Sequence, residues 1–279
     1  DGVVGIGAQG EIQVIAASPL TVNETVASAG DVLLQANEGG NNANLDQLTI
    51  NANVTGHNIT LNSGDDVIIN DTVEAQENLV INAGDGVFIN DFIFAGELVT
   101  ITTGGAVFGA DDTAVTCPNV LSMGPGGGIF ADDIVITVFG DITLGILKAV
   151  DTVTVTALDD PVTLAEEGTI SLGDGGLVQG KIVAGMSVTL NADVSILFVQ
   201  SVTAPGDPDA FINAGSRLTM TADANLNGTG LIADTEADAL TVADILAPVV
   251  VATAGTGIAY EGQVDSLVNA ATTTGAVTI

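Results

Sequence analysis

The chain is poor in basic residues, aromatic residues and cysteine, and each shortage excludes something. Only Lys148, Lys181 and Arg217 are basic, against 35 acidic residues, which leaves a formal net charge of −32. Such a surface repels phosphate backbones and anionic headgroups, so neither nucleic acid nor an anionic membrane is an expected partner. Tryptophan is absent and aromatics make up 3% of the residues, so a polysaccharide groove lined with stacking platforms is not expected. The single cysteine, Cys117, excludes an intrachain disulfide and reads as a small buried hydrophobe. The apolar stretch 239–260 carries Asp244, Pro248, Gly255 and Gly257 and lacks basic flanks, so it is not read as a membrane span.

Catalytic constellations are equally scarce. His57 is the only histidine, which argues against a histidine-based zinc site and leaves a triad one candidate base. It sits in Thr-Gly-His-Asn, where a turn residue is the simpler reading. The adjacent acid pairs Asp65–Asp66, Asp111–Asp112, Asp132–Asp133 and Asp159–Asp160 would point to opposite faces where they lie on a strand, so most of them are not expected to converge as glycosidase carboxylates. The run Gly124-Pro125-Gly126-Gly127-Gly128 has no following lysine and reads as a loose turn rather than a phosphate cradle. No enzyme is expected.

What is present is a repeat. ITLNSGDDVIIND from Ile59, LVINAGDGVFIND from Leu79 and VTITTGGAVFGAD from Val99 align without gaps, 20 residues apart. A weaker copy starts at Val120, and the phase continues through Ile142, Val162 and Ile182, at steps of 21, 22, 20 and 20 residues. Each copy alternates apolar and polar residues over a short run, turns at Ser-Gly-Asp-Asp or its equivalent, then runs again. β-Branched residues dominate, without a sustained helical period.

The pattern predicts an all-β fold: a right-handed parallel β-helix, or β-solenoid, with coils of about 20 residues and one domain over 1–279. Stacking places Leu61, Ile81 and Ile101 in one apolar ladder and Val67, Val87 and Val107 in another. Asn70 and Asn90 form an amide ladder at a turn. Thirteen or fourteen coils would make a rod of roughly 65 Å. Loop insertions are expected near 37–47 and 204–214, and 235–246 suits either a short helix or a strand. The threonines at 152, 154 and 156 are similar to an ice-binding row, but the 20-residue phase gives them no recurrence at one coil position.

The acids are mostly Asp, 25 of the 35. The repeat puts Asp71, Asp91 and Asp111 in one row, with Asp132 a residue out of step, and Asp65 and Asp85 in a second. Carboxylates about 4.8 Å apart repel by roughly 0.9 kcal/mol in water and about 3.5 kcal/mol at an effective dielectric of 20. Either they point into solvent or a cation sits between them; Ca²⁺, which accepts carboxylate, amide and carbonyl oxygens, is the candidate cofactor.

The segments ITLNSGDDVIIND and LVINAGDGVFIND resemble repeats of large bacterial cell-surface proteins, the filamentous-haemagglutinin-like adhesins and giant repetitive exoproteins. That resemblance implies a β-helix on the cell exterior and carries no site residues. Neither terminus shows an amphipathic cap, and the first residue is Asp1 rather than Met. A processed product or a segment of something longer is therefore expected. Its partner would be a second copy joined head to tail or flanking repeats of a longer chain. The functional expectation is an extracellular structural rod. The alternatives are an adhesin module binding glycans or surfaces through its two insertions and, behind it, a carbohydrate-active enzyme.

Overall fold

The computed structural model describes residues 5–17, 19–37, 46–104, 120–159, 167–174, 178–199, 210–224, 228–234, 245–260 and 262–278. Among them the chain forms strands and no helix. The strands pair in parallel throughout, in one 18-stranded and one 11-stranded sheet. Each circuit of the chain contributes a short strand, a long strand and a third strand. One circuit runs Val54–Gly56, Ile59–Ser63 and Val67–Ile69; the next runs Val73–Ala75, Asn78–Ala83 and Val87–Ile89. Short and long strands share the larger sheet, which turns a corner between them, and third strands form the smaller one. The result is a solenoid-like stack with three outer faces.

Alternation explains why these residues form these strands. Ile59–Ser63 reads buried, half-buried, buried, half-buried, buried, so one side of the strand faces inward. The inward residues form one continuous apolar cluster that runs the length of the stack. Leu34, Leu61, Ile81, Ile101, Ile136, Val155, Leu190, Met220 and Ala252 occupy successive rungs of one ladder. Small β-branched side chains suit this core, because each must fit between rungs about 4.8 Å apart.

The 20-residue phase holds from Ile59 to Val99 and then breaks. Val87 pairs with Leu121 in the third-strand sheet, and Val107 lies outside the described residues. Val120–Met123 and Asp141–Leu144 are third strands rather than copies of Ile59–Ser63. The long-strand register runs from Val99 to Ile134, Val153, Val188, Leu218 and Val250, in steps of 35, 19, 35, 30 and 32 residues. Excursions between strands lengthen most of these later coils. The described stack therefore has 11 rungs, not thirteen or fourteen, and spans about 50 Å.

Two further expectations change. The presumed insertion 204–214 ends in a strand, Ala210–Ala214, that pairs with Gly180–Ala184; residues 204–209, most of 37–47 and residues 235–244 lie outside the described residues. Threonines do recur at fixed positions on the long face: Thr100, Val135, Thr154, Thr189 and Thr219 share one outward row, and Thr102, Thr137, Thr156, Asn191 and Thr221 the next.

Candidate functional site

Asp-rich corners are where the sequence placed its candidate ligands, and there the carboxylates accept main-chain hydrogen bonds. At the corner after the long strand, Asp65 Oδ2 accepts the Asp46 N–H at 2.9 Å, from the coil before. Asp66 reaches both ways: Oδ1 accepts the Gly86 N–H at 3.0 Å and Oδ2 accepts Gln47 Nε2 at 3.4 Å. Burial pushes the Asp66 carboxyl above its ordinary value, against the lowering effect of those bonds. Asp85 is buried, and its N–H donates to the Asp65 carbonyl at 3.2 Å. Gly84 is needed here, because a Cβ would lie 1.7 Å from the Gly64 carbonyl oxygen.

Asp71 and Asp91 occupy the next corner. Each Oδ1 accepts the following residue's N–H at 2.8 Å, from Thr72 and Phe92 respectively. Beside them Asn90 Nδ2 donates to Asn70 Oδ1, Asn70 to Asn51, and Asn51 to Asn23, at 2.8, 2.8 and 3.0 Å. The amide ladder read from the sequence is thus twice as long as the Asn70–Asn90 pair. Asp111 lies outside the described residues. The corner that follows Asp91 in the stack is Gly124–Gly127, which carries no acid, and Asp132 sits at the opposite end of its short strand, so the Asp71–Asp91 row does not extend to it.

The same use of Asp recurs along the stack. Asp133 Oδ1 accepts the Thr152 N–H at 3.0 Å, and Asp141 Oδ1 accepts the Gly168 and Thr169 N–H groups at 3.1 and 2.9 Å. Asp193 accepts from Asp159 and Asp223 from Gly228, both at 2.8 Å. A short carboxylate reaches a neighbouring N–H at a corner where the ladder is interrupted, which accounts for Asp outnumbering Glu. Among the described residues, no group of three or more His, Cys, Asp or Glu side chains converges as a metal site.

His57 occupies a corner, as its sequence context suggested. Its Nε2 lies 3.6 Å from Glu77 Oε1, with both side chains substantially exposed. An exposed pair of that kind contributes about 0–1 kcal/mol when the imidazole is charged.

The short-strand face holds a cluster that the sequence did not reveal. Phe92, Phe94 and Phe130 form a triangle with ring centroids 5.2–6.0 Å apart, and Phe92 and Phe94 are each 38% exposed. Gly128 makes room for it, since a Cβ there would meet Phe92 and Phe130 at 3.1 Å. Lys148 follows Phe130 on the next rung, and Lys181 Nζ lies 5.8 Å from the Phe211 ring centroid. Phe94 and Phe130 are far apart in sequence yet adjacent in space, so no repeat signal linked them.

Comparison with known proteins finds no match among family models, curated proteins or solved structures.

Proposed function

We propose that this protein is an extracellular structural rod: a right-handed β-helix that stacks end to end with further copies or with flanking coils of a longer chain. Right-handed winding follows from the strong preference of parallel β crossovers. The observation that carries the reading is the uninterrupted core, which runs through every rung from Ile12 to Ile258. Along it the corner acids serve as main-chain acceptors. At both ends of the described stack the last strands pair on one side only, Leu20–Val22 and Val277–Thr278 in the smaller sheet. Such edges template further strands. An exterior location agrees with the surface charge and with the resemblance of the 20-residue segments to cell-surface repeats.

Calcium is the cation proposed for the Asp71–Asp91 and Asp65–Asp85 rows; those carboxylates would hold it, and it would screen their mutual repulsion. Negative-stain electron microscopy of the purified chain with calcium tests the structural role. Filaments are expected; particles that stay dispersed at high concentration would contradict it. Attachment to glycans that disappears on deleting 37–47 or 204–209 from a dispersed, folded protein would point to an adhesin instead.

A further inference from the structure

On the described strands, charge is nearly confined to corners, with one exception on the short-strand face. There the outward residues of successive rungs are Glu74, Phe94, Phe130 and Lys148, in that order. Beside them runs a second outward row: Phe92, Gly128, Ile146, Lys181 and Phe211. This face therefore holds both lysines of a chain with 35 acids. Of the eight exposed large hydrophobics among the described residues, five lie on it or at its corner: Phe92, Phe94, Val150, Met186 and Leu246.

The order acid, aromatic, aromatic, base reads as its own complement when reversed. A two-fold axis lying in the face, along the strands and midway between the Phe94 and Phe130 rungs, reverses the rung order and keeps each row opposite itself. It sets Glu74 against Lys148 of a second copy and Phe94 against Phe130. Each contact occurs twice, as an isologous interface requires.

We propose that two copies of this chain pair laterally and antiparallel through this face. The partner is chosen by charge: a second copy supplies its Glu74 to Lys148 and receives Glu74 at its own Lys148, and the aromatic triangle is covered by its counterpart. The pairing closes at two copies, so it is distinct from open end-to-end growth and does not depend on it.

Sedimentation of the full chain tests this, at physiological salt where the Debye length of about 8 Å screens the more distant corner acids. A discrete species of twice the chain mass is expected. Glu74→Lys and Lys148→Glu should each weaken it at least ten-fold, and the double variant should restore it. Circular dichroism melts show whether each variant is folded. Independently, a Glu74→Cys, Lys148→Cys, Cys117→Ser chain should oxidise to a covalent dimer, because within one chain the two positions lie three rungs, about 14 Å, apart. A monomer at every concentration, a double variant no better than either single one, or a face that binds an anionic polysaccharide in place of a second copy would each overturn the proposal. Open-ended masses that ignore the charge reversals would leave end-to-end stacking intact and sink the lateral pair.

Discussion

Asn90 donates its side-chain amide to Asn70 Oδ1 at 2.8 Å, one rung away. The same bond repeats down to Asn51 and Asn23, so each interior amide both accepts and donates. Replacing Asn70 by Ala removes two such bonds. At about 0.5–1.5 kcal/mol each, the expected loss is about 1–3 kcal/mol, read as a lower urea midpoint. Asn70→Asp should lose the donation to Asn51 yet keep an acceptor for Asn90, and so cost less than Asn70→Ala at neutral pH.

A second ladder ends on a carboxylate. Asp31 Oδ1 accepts the side-chain amide of Asn58 at 3.0 Å and its main-chain N–H at 3.2 Å, and Asn58 Oδ1 in turn accepts from Asn78 at 3.0 Å. Asp31 can only accept, which fixes the donor direction along this ladder. The side-chain bond from Asn58, its main-chain bond and the nearby His57 together hold the Asp31 carboxyl below its ordinary value. A lowered folded-state value stabilises above the unfolded value of about 3.9 and is lost as pH falls through the lowered one. Melting curves of the wild type and Asp31→Asn should therefore diverge above that window and converge below it. A gap that persists at the acid end would contradict this account.

Asp66 should behave in the opposite sense. Burial raises its carboxyl, so the folded state favours the protonated form and stability falls as pH rises from the unfolded value through the raised one. Asp66→Asn keeps an oxygen for the Gly86 N–H and removes the buried charge. We expect a higher melting temperature than wild type at neutral pH, with the advantage shrinking in acid.

Glycine at a corner offers a steric test. Gly84→Ala places a methyl 1.7 Å from a main-chain oxygen, whereas a Cβ at Gly7 meets nothing within 4 Å. The first change should cost about 1–3 kcal/mol or more, and the second should be nearly silent. Equal effects in chemical denaturation would mean that the rungs are not packed as described.

The region from Ile59 to Thr103 was legible in the sequence because its coils have constant length. Asn62, Asn82 and Thr102 fall on one outward row as their 20-residue spacing required. Beyond Thr103 the same logic failed, for a physical reason. All three faces ask for the same alternating β-branched pattern, so Val120-Leu121-Ser122-Met123 resembled a long strand although its partners are Val87, Phe88 and Ile89. Once a coil carries an excursion, spacing no longer identifies the face. The recurrence of Thr100, Thr154, Thr189 and Thr219, the end of the acid row at Asp91 and the meeting of Phe94 with Phe130 were all hidden by that slip. The acid rows themselves were legible as positions. Their use as acceptors of main-chain N–H groups was not, because that depends on which donor each corner leaves unpaired.

Fibre diffraction from oriented assemblies of this chain tests the central claim most directly. A rod that stacks end to end continues its rungs across each junction, so it predicts filaments with a sharp meridional reflection near 4.8 Å. Dispersed particles of about 50 Å, or filaments that lack that reflection along their axis, would contradict it.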